Sequence, residues 1–524
     1  MKKRRNNYRV VRAPFFGVLF ALGRLVATIL DHILHYTDRG FDSPFEPRAV
    51  RELIQELGGI FVKFGQILAM RPDFLPEAYT KELLKLLDEL PSFPYEEVEA
   101  IFQEEFGKRP DELFRSFSRT PLSAASLAQV HEATLPDGTA VAVKVLRPRI
   151  KEIFLRDMKL FRFLARLVSW ANVLRSINPF TIVEEFERWT LREFDMRLEA
   201  ESMERMRRDA EGLEWILIPR VFPECTSERV LTMTLLPGRA LKGFLFQAPE
   251  DVEGVLFRFA QKLVRLGLHL YFLKGFFHAD PHPANIFLIN EEKVGLLDFG
   301  IVGEASVEDR LRFAKFIEAG TKNDARAAAE SFLELSRAEY EKLLKDLERR
   351  VKERFPEWLP KLEEFQERVA RRAREEISTI IKEWHEALEG ETEFEAKSSA
   401  QAFLKILLTA NRYNYPLPRS VVLFVRTLVL IDMDCLLLAP RFNIAKEVVA
   451  FFEERPELIS SLEEERKARL KGRERAWLRF RYEHPEEAHE LEELEKEAAR
   501  LEEERFAEQF AVFIERSLEF SPKS

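Results

Sequence analysis

The chain has 524 residues, 46% of them hydrophobic and 33% charged, with a net charge of −9. That hydrophobic content supports a sizeable core, and the acidic balance excludes a general nucleic-acid binder. Only Cys225 and Cys435 occur, too few for a disulfide framework and without metal-ligand spacing, which points to a reducing compartment.

The first residues, MKKRRNNYRVVR, are basic, and residues 13–36 are largely apolar. Three readings compete for this stretch. A signal peptide fits the charge order, but Arg24 interrupts the apolar run and no clean cleavage site follows. A membrane span has about the right length, yet Arg24, Asp31 and His32 would each be costly in lipid. An amphipathic helix places Gly17, Ala21, Arg24, Thr28, Asp31 and His35 on one stripe and Phe16, Leu19, Phe20, Val26, Ile29, Leu30 and Ile33 opposite. Such a face suits a membrane interface, with the basic start binding anionic lipid, or the protein's own core.

Residues 46–118 read as helices. RAVRELIQELGGIFVKFGQILAMR has apolar residues at helical spacing, EAYTKELLKLLDEL stops at Pro91, and PYEEVEAIFQEEFG stops at Gly107, a C-terminal cap. Lys63 and Gln66 share a helical face, and taken alone they read as ordinary surface residues.

From residue 119 the pattern changes. PLSAASLAQVHEATLPDGTAVAVKVLRP alternates in the strand manner about a turn at Pro136-Asp137-Gly138. Lys144 stands in Val-Ala-Val-Lys, the context of the lysine that pairs nucleotide phosphates in kinases. Upstream, Ser123, Ala124, Ala125, Ser126 and Ala128 form a small-residue loop of the kind that lets backbone N–H groups approach phosphates. Residues 151–212 are charged and helical and hold Glu193, Asp195 and Glu199; most such runs are solvated faces, but a kinase fold needs a helix carboxylate for its strand lysine, and Glu199 is the candidate. Two strand-like runs, WILIPRVF and RVLTMTLLPG, follow. The second, with Met233 and Leu235, ends at Pro237-Gly238, where a hinge would border an adenine pocket.

DVEGVLFRFAQKLVRLGLHLYFLKG then reads as an amphipathic helix leading into GFFHADPHPANIFLINEEKVGLLDFGIVG. In that stretch Asp280 is followed by Asn285 after four residues, and Asp298 opens an Asp-Phe-Gly triplet thirteen residues further on. This is the kinase spacing of a catalytic-loop Asp, an Asn and a metal-binding Asp. NIFLIN and GLLDFG read as strands of a hairpin that would set Asn285 beside Asp298, two oxygen donors suited to Mg²⁺. Asp280 could accept a proton or orient a nucleophile. Residues 305–450 are helical throughout. SVVLFVRTLVLIDMDCLLL is apolar, but Arg426, Asp432 and Asp434 favour a buried helix over a membrane span. From about residue 454 Glu, Arg and Lys dominate, as in a solvated helix.

These motifs together resemble the UbiB/AarF family of atypical protein-kinase-like ATPases, tied to ubiquinone and other prenyl-lipid metabolism. KFGQ at 63–66 resembles the family's Lys-x-Gly-Gln element, SAASLAQVH at 123–131 its alanine-rich loop, EFDMRLEAES at 193–202 its Glu-x-Asp element with the helix glutamate, and HADPHPAN with DFG its catalytic and metal loops. The likeness covers about residues 50–310. Two positions depart from the family pattern: Ala284 replaces the usual glycine and Ser123 the usual alanine, neither of them a metal ligand.

The resemblance implies a two-lobed α+β kinase-like fold: a basic amphipathic segment (1–45), a helical extension (46–118), an N-lobe with a long helical insert (119–238), a mostly helical C-lobe (239–453) and a charged helical tail (454–524). It implies ATP and Mg²⁺ as cofactors, a Lys144–Glu199 ion pair, Asn285 and Asp298 as metal ligands, and Asp280 as the catalytic acid–base residue. Lys63 and Gln66 would lie over the nucleotide site, met by Glu193 and Asp195, which favours ATP hydrolysis over protein phosphorylation. Many UbiB-type members end in a pair of hydrophobic helices, whereas this tail is charged, so membrane contact would fall to the basic start. The implied setting is cytoplasmic, at the inner face of a membrane, with an anionic surface, a prenyl-lipid intermediate or quinone-biosynthesis proteins as partners and no nucleic acid. A small-molecule kinase and a nucleotide-sensing scaffold are the alternatives, the first opposed by a KFGQ helix that should crowd an acceptor pocket.

Overall fold

The computed structural model describes residues 46–483 apart from 58–59, 70–76, 84–85, 87–91, 125–126, 172–178, 244–252, 291, 337–351, 353–358, 390–398, 414, 416 and 440–441. The amphipathic segment 13–36, and with it the proposed membrane-binding face, lies outside the described residues. The chain forms two compact units, residues 1–262 with 280–302, and residues 263–279 with 303–524.

The first unit opens with helices α1 (Pro47–Leu57), α2 (Ile60–Ala69), α3 (Glu77–Leu83) and α4 (Tyr95–Phe106). Within the stretch 48–71 expected to be helical, residues 48–57 and 60–69 are helix, and Gly58, Gly59, Met70 and Arg71 lie outside the described residues. Gly107 ends α4 at φ +66°, a left-handed cap from which its N–H bonds back to the Gln103 carbonyl. Strands β1 (Ser116–Phe117), β2 (Ser123–Ala124), β3 (Ala128–Thr134), β4 (Ala140–Leu146) and, later in the chain, β6 (Val230–Thr234) form one antiparallel sheet in the order β1-β3-β4-β6, with β2 folded back on β3. One face of this sheet packs on α4: Val141, Val143, Val145 and Val230 meet Val98, Ile101 and Phe102.

Between β4 and β6 run α5 (Ile150–Ala171), α6 (Pro179–Arg192) and α7 (Met196–Asp209). Phenylalanines fasten the extension to this insert. Phe64 of α2 lies 4.8 Å from Phe161 of α5 and 5.1 Å from Phe186 of α6, ring to ring. A second sheet joins β5 (Ile216–Leu217), β7 (Arg239–Ala240), β8 (Ile286–Ile289) and β9 (Lys293–Leu296) in the order β5-β9-β8-β7. Gly238 sits at φ +124° where a Cβ would come 2.5 Å from the Leu288 carbonyl oxygen, so both backbone angle and space demand glycine there.

Helix α8 (Glu253–Leu268) continues into a π-helical turn, His269–Lys274. Apart from the short strands Phe276–His278 and Val302–Glu304, the described elements that follow are helices: α9 (Val307–Thr321), α10 (Ala325–Leu335), α11 (Leu359–Glu389), α12 (Ser399–Arg412), α13 (Arg419–Leu438), α14 (Ile444–Glu453) and α15 (Leu458–Glu483). The core of the second unit is aromatic, with Tyr271 stacked on Phe424 at 3.7 Å and Phe272, Phe277 and Phe313 around them. Two polar residues of the apolar helix α13 bond to backbone carbonyls: Arg426 Nη1 donates to that of Ala279 at 3.0 Å and Thr427 Oγ1 to that of His278 at 3.2 Å. Among the described residues no helix is long and apolar enough to cross a membrane.

Candidate active site

Strand alternation decides where Lys144 points. Residues opposite one another in adjacent strands share a face. The registers Val130↔Lys144↔Leu231 and Ala142↔Met233 therefore set Ala128, Val130, Ala142, Lys144, Leu231 and Met233 on the face opposite the Val141–Val143–Val145 core. The lysine thus projects from a small, apolar surface. Leu235 follows β6, its N–H bonded to the Ala140 carbonyl at 3.1 Å. Ser123 and Ala124 pair with Val130 and Gln129, so the loop between β2 and β3 is the alanine-rich turn; Ala125 and Ser126 lie outside the described residues.

Lys144 Nζ contacts both carboxylate oxygens of Glu199 at 2.9 Å. The same ammonium lies 3.6 Å from Asp298 Oδ1. Glu199 is delivered by α7, whose N-cap is Asp195: its carboxylate accepts the Arg197 N–H at 3.1 Å and is gripped by the Arg197 guanidinium at 2.8 Å. Among the described residues the Asp195 carboxylate bonds to Arg197, not to the extension it was expected to meet. It starts the helix that carries Glu199 one turn on. Glu193, in the turn before it, reaches the extension instead, with Oε2 2.8 Å from Lys63 Nζ. Gln66 belongs to the same helix α2, but its side chain is outside the description.

The acidic loop is shaped by its own backbone. The His282 N–H bonds to the Asp280 carbonyl at 2.9 Å, and the Asn285 N–H to that of His282 at 2.8 Å. Asn285 Nδ2 also donates to the Asp280 carbonyl, at 3.2 Å, which leaves the amide oxygen turned to its other side. The β8–β9 hairpin pairs Ile286 with Leu296, and the Leu297 N–H bonds to the Asn285 carbonyl at 2.8 Å, so Asp298 follows immediately beside Asn285. Asp298 adopts φ +58°, a left-handed conformation that aspartate tolerates better than most side chains, and its Oδ1 accepts the Gly300 N–H at 3.3 Å. Asp280 Oδ2 lies 3.9 Å from His282 Nε2.

Lys63, Lys144, Glu193, Glu199 and Asp298 form one charged cluster with a single negative charge in excess. Burial pulls the Lys144 ammonium down, but Asp298 and Glu199 outweigh it and its pKa is raised. Burial pushes the Asp298 carboxyl up, and Lys144, Lys63 and His282 together hold it well below the usual carboxylate range; it is half exposed and ionised. Burial raises Glu193 and Glu199, opposed by Lys63 and Lys144 respectively. Glu193 Oε1 is buried without a hydrogen-bond partner among the described residues.

The residues fit Mg²⁺ bound jointly with phosphate. Mg²⁺ keeps oxygen ligands and is usually held by one or two side chains, with substrate phosphates and water supplying the rest. Asp298 offers an ionised oxygen and Asn285 an amide oxygen whose orientation is fixed by the bond from its own Nδ2. Among the described residues no three His, Cys, Asp or Glu cluster as an all-protein metal cage.

Two residues that matter were read only as part of a loop motif. Gln129 and His131, two apart on β3, are fully buried on the core face. Gln129 Oε1 accepts the Phe93 N–H at 2.9 Å, its Nε2 lies 2.9 Å from His131 Nε2, and His131 Nδ1 donates to the Ser118 carbonyl at 2.7 Å. The carbonyl can only accept, so Nδ1 carries the ring hydrogen and Nε2 accepts from Gln129. This chain ties the segment before α4 to the sheet. The signal was two polar residues on the apolar side of an alternating strand.

A β-rich unit with a lysine–glutamate pair, an Asp…Asn loop and a DFG aspartate on one hairpin defines a kinase-like α+β protein. Residues 85–332 match the ABC1 atypical kinase-like domain, so this stretch is a domain of the UbiB/AarF atypical-kinase type. It is similar to the uncharacterized protein sll1770 of Synechocystis sp., 36% identical over 270 residues, which cover 50% of this chain and 45% of that protein. The chain therefore matches a little under half the length of this curated relative. A solved structure of Rv3197 in complex with erythromycin, from Mycobacterium tuberculosis, matches at 19% identity with a TM-score of 0.47, covering 84% of this chain and 98% of that one.

Proposed function

We propose that the chain binds Mg–ATP in its first unit and hydrolyses it. The observation that carries this reading is the position of Lys144, held at 2.9 Å by Glu199 and 3.6 Å from Asp298. A buried ammonium fixed between a helix carboxylate and a metal-type aspartate is the arrangement that positions nucleotide phosphates. Asn285 and Asp298 would hold Mg²⁺, which when bound neutralises phosphate charge. Lys144 draws the phosphates onto the apolar face of β3, β4 and β6, where Val130, Ala142 and Met233 offer a surface for a base. Asp280, on the loop that ends at Asn285, orients the attacking oxygen. Lys63, fastened to Glu193, closes the cluster from the extension and favours water over a protein hydroxyl as acceptor.

The setting we infer is a cytoplasmic membrane surface, in support of ubiquinone or other prenyl-lipid biosynthesis. It rests on the resemblance of the motifs and on the basic, amphipathic character of residues 1–36. The test is ATP turnover by the purified chain with Mg²⁺, with and without anionic liposomes. Asp298→Asn should lower turnover by roughly two orders of magnitude. Deletion of residues 1–36 should remove liposome stimulation and leave basal turnover. Equal turnover by wild type and Asp298→Asn sinks the proposal. ATP binding without hydrolysis would favour the scaffold.

A further inference from the structure

The second unit holds a partly open cavity of about 350 Å³ that the nucleotide site does not use. It is walled by residues from seven helical segments: the end of α8, the π-helical turn, α9, α11, α12, α13 and α14. Phe313, Phe316, Phe403 and Phe424 form much of its lining. A volume in the lower part of the ~300–1,000 Å³ range of small-molecule sites, lined mainly by aromatic and aliphatic carbon, is the form such sites take. Well-packed interiors leave few voids larger than a water molecule, so a space this size is not ordinary packing slack.

The polar groups at the cavity are few and specific. Trp384 borders it, and its indole N–H is buried with no hydrogen-bond acceptor among the described residues. A donor left so costs free energy that a ligand acceptor would recover. The neighbouring His385 also borders the cavity, its ring 5.1 Å from that of Trp384. His385 Nε2 lies 2.8 Å from the Gly320 carbonyl. A carbonyl only accepts, so Nε2 carries the hydrogen and Nδ1 of the neutral ring is left as an acceptor. A donor and an acceptor side by side match a hydroxyl, which is both. Lys446 and Glu453 also border the cavity and cancel in charge, so the lining selects for neither sign.

We propose that this cavity binds an uncharged, predominantly apolar molecule bearing one hydroxyl, with the apolar body against the phenylalanines and the hydroxyl between Trp384 and His385. This site lies wholly within the helical unit and is independent of the nucleotide reading, so its test avoids ATP turnover.

Binding of 1-decanol, decanoate and decyltrimethylammonium to the full chain is measured by titration calorimetry below their aggregation concentrations. The expected result is saturable binding of one 1-decanol per chain, at least about tenfold tighter than either charged probe. Trp384→Phe keeps the ring and removes the donor, and should weaken 1-decanol binding roughly three- to tenfold. Ala402→Phe fills the space beside Phe403 and should abolish binding; its melting curve checks that it folds. No saturable binding of 1-decanol to the wild type overturns the proposal, including the case where another segment of the chain occupies the space. Tighter binding of a charged probe overturns the assignment of a neutral ligand. Unchanged affinity in Trp384→Phe overturns the placement of the hydroxyl, whatever the fate of Ala402→Phe.

Discussion

Lys63 and Glu193 face each other from different helices, 2.8 Å apart and each largely shielded from water. Breaking such a pair from one side strands a buried charge, whereas removing both sides does not. Lys63→Met should therefore destabilise the first unit by up to about 3–5 kcal/mol in urea unfolding. Adding Glu193→Gln should recover a substantial part of that loss. If the double variant is no more stable than the single one, the two side chains are not energetically coupled. Asp434 gives a second prediction at this scale. Its Oδ2 is buried without a partner among the described residues, and burial pushes its carboxyl up to about 8. The unfolded carboxyl ionises near pH 4, whereas the folded one keeps its proton to about pH 8, so folding takes up a proton in that window and stability falls as pH rises through it. The slope is about 1.4 kcal/mol per pH unit at its steepest. Asp434→Asn should flatten it, gaining on the wild type in melting temperature between pH 5 and pH 8.

The helices of the extension pack closely at Gly65, two residues from Lys63. A Cβ on Gly65 would come 2.5 Å from Leu86 Cδ1 and 3.1 Å from Ile54 Cγ2, so α2 lies close against α1 and the segment after α3. The tips of Leu86 and Ile54 can shift to admit an alanine, which also gains helix propensity, so Gly65→Ala should be close to neutral. A β-branched valine cannot be fitted so cheaply, and Gly65→Val should cost about 1–3 kcal/mol, read from urea unfolding. A valine variant as stable as wild type would show that this helix contact is loose. In the sheet, Gln129 and His131 act as a pair. Burial lowers the His131 pKa, consistent with a neutral ring that bridges Gln129 and the Ser118 carbonyl.

For the whole molecule, two compact units with different ligands should answer to different molecules. Ligand that binds only the folded state adds about 2.7 kcal/mol at a hundredfold excess over Kd. In differential scanning calorimetry, Mg–ATP should raise the transition of the unit that holds Lys144, and Asp298→Asn should abolish that rise. A rise that persists in Asp298→Asn would place the nucleotide elsewhere or show that the metal ligand is another residue.

The sequence by itself determined the local chemistry. Alternation in SLAQVHEAT and AVAVKVL dictated strands, the polar turn between NIFLIN and KVGLLDFG dictated a hairpin, and the spacing of Asp280, Asn285 and Asp298 followed from that hairpin because neighbouring residues on paired strands have no freedom to separate. Glu199 was legible as a candidate because Lys144 needed a carboxylate. Only the tertiary structure decided which acid does what between residues 193 and 199, since Glu193, Asp195 and Glu199 look alike in a charged run. Their roles depend on where the helix begins, and that start turns Glu193 to Lys63, spends Asp195 on a cap and carries Glu199 to Lys144. The cavity beneath Trp384 was equally invisible along the chain. Packed and unpacked phenylalanines have the same helical periodicity, and whether seven helical segments meet fully or leave a space is settled by side chains far apart in sequence.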